Sequence, residues 1–133
     1  MIAEGLSSLR QGANDIKEAM MLYLPVVLFA IAALGGVMLV WLKFSGKDLP
    51  WSLIIGHGLF AAAGLVALIA NVMQNSGIAL MNVCLILFLI VAIGGFTLFS
   101  FQLRKKALPN AIILIHGGVA IISFLLLLFA VAV

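Results

Sequence analysis

Four apolar runs, at about Leu22–Leu42, Trp51–Met73, Ile78–Leu103 and Ala111–Val133, leave this chain very few folds to choose from. Each reaches the roughly 20 residues that a helix needs to cross a hydrocarbon layer about 30 Å thick. A strand of a membrane barrel would alternate apolar and polar residues over about ten positions, and these runs do not alternate. Only helices and closed barrels satisfy their own backbone in lipid, so the runs predict four transmembrane helices. Of 133 residues, 66% are hydrophobic and 8% charged, whereas ordinary soluble domains carry about a quarter charged residues. The expected class is an all-α integral membrane protein with no second domain.

The runs are related in pairs. Gly35-Gly36 matches Gly94-Gly95, Leu49-Pro50 matches Leu108-Pro109, and His57-Gly58 matches His116-Gly117, all at an offset of 59 residues. Residues 24–74 therefore lie over 83–133 without a gap, the signature of an internal duplication. Each repeat holds two spans, so both enter the membrane in the same direction. The pseudo-twofold axis then runs along the membrane normal, as in parallel-repeat membrane proteins. The expected fold over residues 22–133 is a bundle of four transmembrane helices built as two parallel-repeat helical hairpins. Pro50 and Pro109 fit the first turn of the second and fourth helices, where a missing N–H costs nothing. Gly77 suits the tight turn between the hairpins. Gly35-Gly36 with Ala32, and Gly94-Gly95 with Ala92, predict close helix contacts.

Residues 1–21 lie outside the repeat. Ile2, Leu6, Leu9, Ala13, Ile16 and Met20 recur at spacings of three and four, which marks one apolar face of a helix. Asp15 followed by Glu18 has the form of a capping box that would start a fresh helix there. A short amphipathic N-terminal helix is expected, lying in the membrane interface or docked on a partner subunit. The span that follows is too long for the core of a cleavable signal.

Basic residues sit in particular loops, Lys43 and Lys47 in one and Arg104, Lys105 and Lys106 in another, so the net charge of +3 reads as topology and not as affinity for nucleic acid. The positive-inside rule predicts that both basic loops are cytoplasmic and both termini outside.

Polar side chains able to do chemistry are few. The lone Cys84 excludes an intrachain disulfide and a Cys-rich metal site. Glu4, Asp15, Glu18 and Asp48 all fall outside the spans, so the intramembrane carboxylate of a proton-coupled exporter is missing. No Walker or dinucleotide glycine motif occurs, and no enzyme activity is expected. His57 and His116 remain as candidate site residues. At seven residues beyond its proline, each lies roughly 10 Å along its helix, nearer the basic loops than the midplane. On each helix the histidine is followed by small residues, Ala61 and Gly64 in one and Ala120 and Ser123 in the other. Such a strip serves as a groove for a neighbouring helix or as a slot for a flat ligand.

Two classes of function follow. The chain is expected to be a small accessory or structural subunit of a larger membrane complex, such as a respiratory or photosynthetic one, whose partners are the lipid bilayer and other membrane subunits. The alternative is an electron-transfer subunit with one haem b held between His57 and His116 as axial iron ligands. In those two histidines alone the chain resembles the b-type membrane cytochromes that hold haem between transmembrane helices, and no wider motif matches.

Overall fold

The computed structural model describes residues 1–74 and 79–132, and within them the regular structure is entirely helical. Helices α1 (Ile2–Phe44), α2 (Trp51–Gln74), α3 (Ala79–Leu103) and α4 (Asn110–Ala132) follow one another, and all four are long and apolar enough to cross a membrane. They fit a multi-pass membrane protein. The expected turn at Gly77 lies outside the described residues.

The helices stand at the corners of a square. α1 packs on α2 and on α4, and α3 packs on the same two, so α1 and α3 are diagonal, as are α2 and α4. The best-buried layer lies in the half of the bundle away from the basic loops. There Leu68, Met81, Cys84 and Leu127 have at most 1% of their surface exposed. Phe29 from α1 and Phe88 from α3 reach across one diagonal and stack with ring centroids 3.8 Å apart and planes within 4°. Phe29 can do so because Gly64 lies beneath it: a Cβ on Gly64 would meet three atoms of its ring at 3.0–3.2 Å.

At the basic-loop end, Trp51 packs edge-on against Phe99 at 6.3 Å, and the Lys47 ammonium lies 4.6 Å from the Trp41 ring. Both tryptophans of the chain are at this end, the place where aromatic belts sit at a membrane interface. α1 closes with a Schellman motif: the Gly46 N–H bonds to the Lys43 carbonyl and the Lys47 N–H to that of Leu42. α3 closes the same way with Lys105 and Lys106 bonding to Gln102 and Phe101. Gly46 takes the left-handed position at φ +68, and Lys105 takes it at φ +52. A side chain there is strained, so this loop holds its lysine against the preference of the backbone.

Two expectations need correction. No fresh helix starts at Asp15; α1 is continuous from Ile2 to Phe44, and its backbone ladder runs through Asp15. Pro50 and Pro109 stand one residue before the helices, where their carbonyls accept the first helical bonds from Leu53 and Ile54 and from Ile112 and Ile113. Proline suits both places, since neither calls on its absent N–H.

The one proline inside a helix is Pro25, and it is buried. It has no N–H to offer the carbonyl of Met21, four residues earlier. Asn71 of α2, itself 1% exposed, supplies the missing donor: its Nδ2 bonds to the Met21 carbonyl at 3.2 Å. Fifty-nine residues on, Cys84 and Ala130 stand in place of Pro25 and Asn71, so where the proline is lost the amide goes with it. Asn71→Leu is expected to destabilise the bundle by about 1–3 kcal/mol by leaving a buried carbonyl without its donor. Pro25→Ala in that background should recover most of the loss by restoring the helix's own N–H. Reversible unfolding in mixed detergent measures both, and a Pro25→Ala change that gives no recovery would count against the exchange.

Candidate functional site

His57 and His116 come together across the second diagonal. Their ring centroids are 6.3 Å apart with planes inclined at 77°, and both side chains are half-buried. Each is also fixed within its own hairpin. His57 Nδ1 lies 2.8 Å from the Ala32 carbonyl of α1, and His116 Nδ1 lies 3.0 Å from the Val91 carbonyl of α3. Histidine and acceptor are 25 residues apart in both cases.

The glycine pairs explain why those carbonyls can be reached. A helical carbonyl points along the axis toward the residues three and four positions ahead. For Ala32 those are Gly35 and Gly36; for Val91 they are Gly94 and Gly95. Any side chain at those positions would cover the carbonyl. Without one, the imidazole lies flat on the bare backbone. A Cβ on Gly36 would come within 3.0 Å of His57 Cε1, and one on Gly95 within 3.2 Å of His116 Cε1. A carbonyl oxygen only accepts, so each bonded Nδ1 carries the proton. In the neutral ring Nε2 then holds the lone pair.

The arrangement can therefore do two things. It clamps α2 to α1 and α4 to α3 through part-buried hydrogen bonds between neighbouring helices. In the neutral form each ring also keeps a lone pair on Nε2, the state required of an axial ligand. A histidine that binds metal through Nε2 is commonly oriented by such a carbonyl on its other nitrogen. Among the described residues, no group of three or more His, Cys, Asp or Glu side chains is placed to hold a bare metal ion.

The small strips beyond the histidines are filled. Phe29 covers Gly64, and the buried Ser123 donates its hydroxyl to its own helix at the Val119 carbonyl, 2.6 Å away. At those two positions the strips serve as packing grooves. Pro25 and Asn71, which position α1 against α2, carried no signal in the sequence beyond a proline within an apolar run. The chain matches no protein-family model, no curated protein and no solved structure.

Proposed function

We propose that the chain is a small integral membrane accessory subunit, a structural component of a larger membrane complex with no catalysis of its own. One observation carries this reading. The two side chains best suited to chemistry are engaged in packing, each bonded to a carbonyl that a glycine pair has laid bare. The described surface supports it, being almost wholly apolar along four spans. A respiratory or photosynthetic assembly is the class of complex we expect. Extraction in a mild detergent followed by native mass analysis tests it: the chain should travel with larger membrane proteins in fixed proportion. A chain that runs by itself in every mild detergent would overturn the proposal.

The bundle is, on this reading, one hairpin used twice about an axis along the membrane normal. Support comes from the pairs that meet or match at the 59-residue offset: Phe29 with Phe88, His57 with His116, and Ala32 with Val91 as acceptors. The basic loops face the cytoplasm and residues 1–20 the other side. A cysteine placed at Ser45 should then resist an impermeant thiol reagent added outside intact cells and react once the membrane is opened. Labelling from outside would reverse the orientation.

A second reading is favoured by the ring geometry. Ring centroids 6.3 Å apart are compatible with two imidazoles sharing one iron through metal–nitrogen bonds of about 2 Å, with Nδ1 of each ring already engaged by a carbonyl. Haem b in that place would supply one-electron chemistry, with His57 and His116 as its ligands. A visible spectrum of protein made with haem in excess separates the readings. A Soret band assigns the pair to haem, and colourless, intact protein assigns it to packing.

A further inference from the structure

Asn71 stands three residues before the end of α2 and bonds to Met21, so α1 leaves the bundle at about that level. The preceding residues 1–20 are exposed throughout, yet they form a continuous part of the same helix. At 1.5 Å per residue this is a rod of roughly 30 Å beyond the bundle. Its apolar residues follow an unbroken heptad: Leu6, Ala13 and Met20 at a, and Ile2, Leu9 and Ile16 at d. That is the register of a coiled-coil seam, narrower than the face of a helix packed on a globular core.

We propose that this seam pairs with the same segment of a second copy, making the protein a parallel homodimer through α1. Three features select that partner over others. The seam lies roughly 140–220° around α1 from Phe29, at 3.6 residues per turn, so it faces away from the bundle and neither bundle obstructs the other. It continues into the membrane as the exposed Tyr23, Val27 and Leu34, so the two helices need not part at the lipid surface. The flanks are also self-compatible in one direction. In a parallel pair, position g meets the partner's e five residues on, which sets Gly5 against Arg10 and Gly12 against Lys17. The glycines leave room for the long basic side chains. An antiparallel pair sets e against e, and in the register where Ile2 meets Met20 this brings Arg10 against Arg10, which destabilises it. Copies inserted by the same topology signals are parallel already, and confinement to one membrane raises their effective concentration.

A lipid surface fits the rod less well. Residues 1–20 carry three acids, Glu4, Asp15 and Glu18, against Arg10 and Lys17, the reverse of the basic excess that draws helices to anionic headgroups.

The test is oxidative crosslinking in native membranes of full-length protein with single added cysteines. Ala13→Cys at a places two thiols within disulfide reach, about 4.4–6.8 Å between Cα atoms, and should give mostly dimer. Gln11→Cys, on the outer side of the helix, should give only the background of the unaltered protein with its buried Cys84. Adding Leu6→Ser and Leu9→Ser to Ala13→Cys should bring the yield down to that background while the spans stay inserted. Equal yields at positions 11 and 13, none at 13, or a product whose mass shows a different protein would each overturn the proposal. So would a disulfide between Ile2→Cys on one copy and Met20→Cys on the other, which only an antiparallel pair can form. The outcome is independent of whether the chain also joins a larger complex.

Discussion

Leucine in place of Gly64 will keep the two hairpins from closing. Phe29 lies on Gly64 with three ring atoms at 3.0–3.2 Å from where a Cβ would be, and it is held from the other side by Phe88 at 3.8 Å. An aromatic ring clamped between a backbone and a second ring has no rotamer to retreat into. A single added methyl, Gly64→Ala, is expected to cost about 1–3 kcal/mol as an overpacked core contact. Leucine adds more volume than the layer can hold, and the expected result is an inserted chain whose Phe29–Phe88 contact is lost. The control is Ser123→Ala at the matched position of α4, where a Cβ is already accommodated and only a hydroxyl bonded within its own helix is removed. That change should fall within about 1 kcal/mol. Cysteines on α1 and α3 beside the phenylalanines, scored by crosslinking yield, distinguish the two. Full crosslinking in Gly64→Leu would show that the stack is not what joins the hairpins.

Removal of either histidine is the second large change. His57→Ala strips the ring from above Gly35 and Gly36 and leaves a hollow on the helix surface. Lost side-chain volume in a packed region costs about 2–5 kcal/mol when the site cannot collapse. The hydrogen bond adds about 0.6 kcal/mol, a typical value within a membrane. A half-buried site relaxes in part, so about 2 kcal/mol is expected for each single change. The rings touch, so the double change His57→Ala with His116→Ala should cost measurably less or more than the sum, by at least about 0.5 kcal/mol. Strict additivity would mean that the contact across the diagonal is energetically empty. If the protein is coloured, the same variants report on haem: each single change should abolish the whole bis-histidine spectrum, because the pair ligates one iron. Loss of half the signal per change would mean two separate sites.

Continuous hydrophobicity made the four helices legible: α2, α3 and α4 fall within a residue or two of their apolar runs, while α1 shares only the end of its run and starts at Ile2. It could not show that α1 carries on through Asp15, because a capping pair permits a helix start and does not compel one. His57 and His116 were legible as a pair because a rare residue type recurred beside a rare glycine doublet. What each ring does was not legible. It depends on a carbonyl 25 residues away that becomes reachable only once two helices are side by side. What fills the small strips was not legible for the same reason: small residues announce that something will come close, and at Gly64 a phenylalanine does. Asn71 was invisible because its partner is a backbone atom 50 residues off, freed by a proline in a third position.

That proline changes how motion passes through the membrane. A helix interrupted by proline ordinarily behaves as a swivel, since the lost bond lets one part turn while the other stays still. In α1 the loose carbonyl is tethered to α2 through Asn71, so the joint is splinted at the level where the exposed rod meets the bundle. A tilt of residues 1–20 is therefore passed to α2 at Asn71 instead of being absorbed at Pro25.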